Sequence, residues 1–192
     1  MLPELLQSTN LFHLLHRIDL DLAVQQQKAG CPFCGGSLHY SNYLRKPRGG
    51  PCLPEDFSIR RSLCCSKEQC RRRTLPKSTL FMDRRVYFRV VILIVTTLRQ
   101  SKPQKYSKNM LSKMLDADRK TINRWLNYFR ELFPKSQTWK TVRGFISPVV
   151  RAFILPGALV EYYLENSQCT TQAITHCLVL LTTGSQTGKM MS

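Results

Sequence analysis

The sequence predicts an α+β chain: a small β-hairpin module pinned by cysteines, then a three-helix bundle, with helices on the N- and C-terminal sides. Three observations predict it. Six of the 8 cysteines fall within residues 30–80, with the Gly-Gly pairs 35–36 and 49–50 and two β-leaning stretches, Leu38–Leu44 and Phe57–Cys64. Residues 81–134 set apolar and basic faces at helical spacing, with few glycines or prolines. Residues 1–29 repeat leucines and aromatics at the same helical period.

Composition narrows the function classes. The 192 residues are 43% hydrophobic, enough for a packed core, and carry a formal net charge of +17. The charge is uneven: residues 31–133 hold 22 basic against 7 acidic residues. That segment is expected to meet a polyanion, nucleic acid first of all. The longest apolar stretch, Val90 to Leu98, is nine residues, and a bilayer span needs roughly 20. The start Met1-Leu2-Pro3-Glu4-Leu5-Leu6 has neither a basic region nor a continuous apolar run, so no secretory signal is expected. A cytoplasmic, nucleoid-associated location follows as an expectation. In a reducing compartment the cysteines serve as metal ligands or buried thiols rather than disulfides.

Four sections emerge in order. Residues 1–29 read as one or two amphipathic helices: Pro3 suits a first turn, Gly30 closes the section, and Leu2, Leu5, Leu6, Leu11, Phe12, Leu14, Leu15, Ile18 and Leu22 form the stripe. Such a stripe packs on the same chain or serves as a dimerisation arm, and the first is preferred.

Residues 30–80 hold the cysteine constellation. Gly30-Cys31-Pro32-Phe33-Cys34-Gly35-Gly36 has the residue types of a zinc knuckle: two thiolates two residues apart grip one tetrahedral ion where the backbone turns tightly around them. A lone Cys-x-x-Cys would equally suit a redox pair. The second group, Leu63-Cys64-Cys65-Ser66-Lys67-Glu68-Gln69-Cys70, favours a metal, and two knuckles at the ends of hairpin arms make a zinc ribbon holding Zn2+. The expected ligands are Cys31, Cys34, Cys65 and Cys70. Cys64 remains an alternative third ligand; Cys65 gives the shorter loop, and strand alternation sends the two side chains to opposite faces. The second knuckle is wide, and the interval from Cys34 to Cys65 exceeds the usual ribbon. Cys52 is expected at the hairpin tip, His39 on the strand surface, and Cys169 and Cys177 as small core residues.

Two basic elements flank the knuckles. Arg71, Arg72 and Arg73 follow the last ligand directly, where a pinned backbone lowers the entropy cost of clamping phosphates. Arg45-Lys46-Pro47-Arg48-Gly49-Gly50-Pro51 resembles an AT-hook whose core, Arg-Gly-Gly-Pro, lacks the second groove-reading arginine. Arg45, Lys46 and Arg48 are therefore expected at a turn touching phosphates or solvent, in preference to insertion into the minor groove.

In residues 81–134, Ser107 is placed to cap a helix whose apolar residues are Met110, Leu111, Met114 and Leu115. Asp116-Ala117-Asp118 makes a tight turn, and Asp118 caps the next helix. There Ile122, Trp125, Leu126 and Phe129 form the core face; Arg119, Lys120, Thr121, Asn123, Arg124 and Asn127 offer groups that reach bases or phosphates, as a recognition helix requires. Arg84–Gln100 is the natural first helix, although its run Val90–Val95 equally suits a buried strand. Residues 135–192 lose the basic density; Pro148 and Pro156 punctuate them, Leu155–Leu164 makes one helix, and a Ser/Thr/Gly/Met tail frays.

The wording Asp118-Arg119-Lys120-Thr121-Ile122-Asn123-Arg124-Trp125 resembles the helix-turn-helix of bacterial resolvases and transposases. Over residues 31–133 the order of zinc ribbon, arginine run and helix-turn-helix resembles the N-terminal DNA-binding modules of insertion-sequence transposases and their small accessory or repressor proteins. The resemblance implies binding to an element's terminal repeats and a role in transposition or transcription regulation; that the chain is not an enzyme is expected from its own residues. A catalytic core does not follow: beyond Phe133 the acids are Glu161 and Glu165, too few for a metal-dependent nuclease. Expected partners are double-stranded DNA, a separate transposase or recombinase chain, and a second copy of this chain. Two rivals remain: an RNA-binding zinc-ribbon protein, with Tyr40 and Tyr43 beside Arg45 stacking on bases, and the DNA-recognition subunit of a recombinase whose catalytic chain is separate.

Overall fold

The computed structural model describes residues 2–83, 85–100, 105–144, 146 and 154–185. The chain is α+β, with seven α-helices and short antiparallel strands among the described residues. It forms two compact units: Ser8–Phe88, and Met1–Gln7 together with Arg89–Ser192. The 1–29 section is thus shared between the units, and residues 81–88 belong with the cysteines.

In the Ser8–Phe88 unit, α1 (Thr9–Ala29) starts at Ser8, whose hydroxyl accepts from the Leu11 amide, and stops at Gly30, where φ is +76°. Its buried face is Leu11, Phe12, Leu15, Leu22 and Ala23, with Asp19 among them. The stripe on α1 therefore packs within the chain except at Leu14, which is exposed, and Ile18, which is half-buried; α1 lies against β1 (Leu38–Tyr40). Asp19 is buried with partners from far along the sequence. Its carboxylate accepts from the Ser78 hydroxyl, from the Thr79 amide at 2.5 Å and from the Thr79 hydroxyl at 2.8 Å. Burial raises its pKa, against hydrogen bonds from Ser78 and Thr79 and the nearby Arg60 charge.

The two β-leaning stretches form one hairpin. β1 pairs with β4 (Leu63–Cys65), and β2 (Tyr43–Leu44) pairs with β3 (Ile59–Arg60), in one unbroken register from Leu38↔Cys65 to Leu44↔Ile59. The link between them is held by the Ser41 amide on the Ser62 carbonyl at 2.8 Å and the Ser62 amide on Asn42 Oδ1 at 3.1 Å. A short β5 (Arg73–Thr74) joins the free edge of β4. Phe57, expected in a strand, instead lies in a 3₁₀ turn, Glu55–Ser58, just before β3.

The second unit is helical. α2 (Arg89–Gln100) is buried from Val90 through Leu98. This settles the Val90–Val95 ambiguity as helix: a helix enclosed on all sides has no polar face to reveal its period. Thr96 and Thr97 fit because their hydroxyls donate to the Ile92 and Leu93 carbonyls. Arg84 lies outside the described residues. α2 packs against α4 (Arg119–Asn127), α6 (Gly157–Glu165) and the 3₁₀ turn Pro3–Gln7. The Gln100 amide closes the α6 junction, donating to the Leu155 carbonyl at 2.7 Å and accepting from the Gly157 amide at 2.9 Å. That satisfies one of the first, unpaired amides of α6.

α3 (Lys108–Leu115) is capped by Ser107, which accepts from the Met110 amide at 3.1 Å. Of its apolar residues only Leu111 is buried; Met110 and Met114 are exposed at 49% and 42%. Of the four apolar residues, Leu111 is thus the one that the eight-residue helix buries where α3 packs on α4. Asp116 ends it in the left-handed conformation (φ +47°), Ala117 is buried, and Asp118 caps α4 through the Lys120 amide at 2.5 Å. Beyond Asn127 the backbone makes a π turn, Tyr128–Leu132, and a 3₁₀ turn, Phe133–Lys135, before α5 (Gln137–Val142).

α6 matches the helix expected near Leu155–Leu164, and α7 (Thr170–Thr183) pairs with it. Cys177 is buried in α7 as expected; Cys169 is not in the core but exposed, in extended backbone at the α7 N-cap. Pro148 and the tail beyond residue 185 lie outside the described residues.

Candidate metal centre and basic surfaces

The hairpin register brings the cysteines together. The first knuckle leads into β1 and the second leads out of β4, so the long interval between them is absorbed by the hairpin and the knuckles meet at its base. The ligand atoms of Cys31, Cys34, Cys65 and Cys70 all lie within 4.8 Å of one another. Cys34 and Cys65 sulfurs are 3.5 Å apart, Cys31 and Cys70 sulfurs 3.7 Å. Those separations are far too long for disulfides. They match a tetrahedral ion with sulfur at about 2.3 Å, which sets its sulfurs about 3.8 Å apart. These four residues could hold a metal ion.

Local backbone builds each knuckle. The Cys31 amide donates to the Gly36 carbonyl and the Gly35 amide to the Cys31 carbonyl, both at 2.8 Å. Gly35 adopts φ +68°. A Cβ on Gly36 would meet Cys65 Sγ at 3.1 Å and the Lys67 side chain at 3.0 Å, so glycine lets the two knuckles approach without displacing that sulfur. In the second knuckle the Cys70 and Arg71 amides both donate to the Lys67 carbonyl at 3.0 Å.

The thiols differ in acidity. For Cys31, burial opposes ionisation, but hydrogen bonds from the Phe33 and Cys34 amides and neighbouring thiols outweigh it, bringing the pKa down to about 7. Cys65 is pushed up to about 12, by burial first and then by the other sulfurs. Sulfur anions gathered this closely repel one another, and a cation at their centre removes that cost.

Cys65 is 1% exposed and packs with Cys31, Leu38 and Leu63, while Cys64 faces the other side of β4, where its thiol donates to the Arg71 carbonyl at 3.5 Å. Strand alternation thus separates the two neighbours. His39, opposite Cys64, is on the exposed strand surface, and Cys52 is exposed and outside the cluster.

The arginine run is held by its neighbours. Arg71 takes a left-handed φ of +43°. The Arg72 guanidinium lies 4.6 Å from the Phe33 ring centroid, and Arg73 lies 5.7 Å from that of Tyr43 while donating to Ser41 Oγ at 3.2 Å. Arg45 is engaged otherwise: it donates to the Asp83 and Arg85 carbonyls at 2.5 and 2.7 Å and sits over Phe81. It therefore belongs to the unit's framework, and Tyr43 pairs with Arg73 instead of Arg45. Lys46 and Arg48 are exposed.

On α4, Ile122, Trp125 and Phe129 (just past its end) are buried, while Leu126 is only half-buried. Arg119, Lys120, Arg124 and Asn127 are exposed, and Thr121 and Asn123 half-buried. Short-range contacts order the outer face: Arg119 donates to Asn109 Oδ1 at 3.1 Å and Arg124 to Thr121 Oγ1 at 3.0 Å. No helix among the described residues is long and apolar enough to cross a membrane. No protein-family model matches the chain, no curated protein matches it, and no solved structure matches it.

Proposed function

We propose that this is a non-enzymatic, zinc-dependent protein that binds double-stranded DNA, working as an end-binding accessory factor or transcriptional repressor of a mobile element. The observation that carries the reading is α4: a capped helix with a buried apolar side and an outer side of Arg119, Lys120, Asn123, Arg124 and Asn127. In this reading α3, the Asp116–Asp118 turn and α4 form a helix-turn-helix, with the start of α4 entering the major groove. Arginine pairs with guanine and asparagine with adenine, each good pair giving roughly 1–3 kcal/mol of discrimination. The cysteine cluster is read as a zinc ribbon: Cys31, Cys34, Cys65 and Cys70 hold one structural Zn2+, and four thiolates leave it no open position for catalysis. Arg71, Arg72 and Arg73 add sequence-independent phosphate contacts.

Selection from a random duplex library, followed by binding of variants to the selected site, tests this. Asn123→Ala or Arg124→Ala should lower preference at one base pair by roughly 5- to 150-fold and leave non-specific binding intact. Trp125→Ala should instead cost roughly 3–5 kcal/mol of stability and abolish both. Unchanged affinity for the selected site in both surface variants would remove α4 as the reader.

A further inference from the structure

We propose that the Ser8–Phe88 unit has a second nucleic-acid site, which holds unpaired DNA bases on two arginine–aromatic stacks, Arg72 with Phe33 and Arg73 with Tyr43. The inference rests on the nucleic-acid reading above for its class of partner and adds a different form of it, a single strand.

The two pairs hang from consecutive arginines two and three residues after Cys70, where the edge strand β5 begins. Arg72 is fixed by its backbone, whose carbonyl accepts from the Cys65 amide at 3.1 Å, and Arg73 by β5 and Ser41. Phe33 lies between Cys31 and Cys34, anchored by both and 56% exposed. A large aromatic on so tight a turn contributes little to a core. Tyr40, at the end of β1, adds a further ring at 45% exposure. The electrostatics suit a polyanion: residues 31–54 contain neither Asp nor Glu, and Glu68 is the one acid between residues 57 and 82, against seven arginines and lysines there.

The rings offer this surface something beyond the phosphate contacts of its arginines. In duplex DNA the base faces are covered by their neighbours, and a protein reaches only groove edges and backbone. Aromatic and guanidinium planes instead match the face of an unstacked base, while the arginine charge meets the adjoining phosphate. Single-strand proteins combine a basic track with such rings, and each stacked base is worth a factor of roughly 5 to 150 in affinity. The site thus fits a frayed or displaced strand next to a duplex held elsewhere.

The test uses the full-length, metal-loaded chain and two fluorescent probes, a twelve-nucleotide oligo-dT and a duplex containing the selected site. Phe33→Leu and Tyr43→Leu should each weaken oligo-dT binding roughly 5- to 150-fold while moving duplex affinity less than twofold. Arg72→Lys, which keeps the charge and loses the plane, should weaken oligo-dT binding as Phe33→Leu does. Metal stoichiometry measured on every variant confirms that the knuckles are intact, and Phe33→Leu, at an exposed position, leaves the core untouched. Variants that bind oligo-dT as tightly as the parent, or lose both probes in parallel, would overturn the proposal, as would tenfold tighter binding of oligo-U than oligo-dT. Arg124→Ala separates the two readings: it should impair only the duplex. If it impairs neither probe while Phe33→Leu still loses oligo-dT, the α4 reading fails and the single-strand site stands.

Discussion

His16 occupies an unusual setting for a group that titrates near neutrality. Its ring stacks on Phe57 at 4.6 Å between centroids, with His13 edge-on to the same phenyl at 4.9 Å. His16 Nε2 is buried without a hydrogen-bond partner among the described residues. Burial, then the Arg61 charge, lowers its pKa, and the carboxylates of Asp19 and Asp56 only partly oppose this. The folded state therefore binds this proton less readily than the unfolded chain. The resulting stability is present above the unfolded value of about 6.5 and is lost as pH falls through the folded value. Denaturant titrations should show the unit weakening below that pH, and in His16→Phe, which keeps the stack, this component should vanish. Identical pH profiles for parent and variant would contradict the assignment. Neither this histidine nor Asp19 was legible in the sequence: the Ser78 and Thr79 partners of Asp19 lie about sixty residues away, and a helical period marks Asp19 only as a polar interruption in an apolar stripe.

Among the elements, the hairpin was the most readable. Its arms and knuckles follow from cysteine spacing and alternation, and the same alternation distinguishes Cys65 from Cys64. Cys65→Ser should abolish stoichiometric metal binding in native mass spectrometry and unfold the hairpin base, whereas Cys64→Ser should keep one ion per chain. The reverse order would assign the buried ligand position to Cys64. Gly36→Ala should resemble a milder Cys65→Ser, because its methyl group presses on the same sulfur. Helices proved legible where one face was wet. α4 announces itself through its donors, whereas α2 and α7 are buried so completely that periodicity has nothing to contrast. α7 went unread because its threonines look like loop residues in sequence. Thr175 and Thr183 bond back to carbonyls four residues earlier and so sit within the helix.

At the scale of the whole molecule, charge dominates. With 22 basic residues between 31 and 133, the proposed duplex binding, if it engages six to ten phosphates, should fall roughly 10³–10⁵-fold in affinity from 50 to 200 mM salt. Joint replacement of Arg71, Arg72 and Arg73 by alanine should flatten that dependence and weaken all duplex sequences about equally. A loss confined to one target would instead mean that the run reads bases. The total charge was plain in the sequence; which arginines remain available was not, since Arg45 is engaged by the Asp83 and Arg85 carbonyls that the fold brings to it.

The helical unit is discontinuous in sequence, taking Met1–Gln7 as well as everything from Arg89 onward. Within the other unit, Phe12 near its beginning and Phe88 at its end meet ring to ring at 4.9 Å. Topologically, the Ser8–Phe88 segment is a cassette spliced into its host, with entry and exit side by side, the arrangement that lets an inserted domain leave its host's folding undisturbed. A fragment spanning residues 8–88 should therefore yield a folded, metal-binding protein with dispersed amide resonances. The host, with a short flexible linker in place of the cassette, should retain its helical circular dichroism.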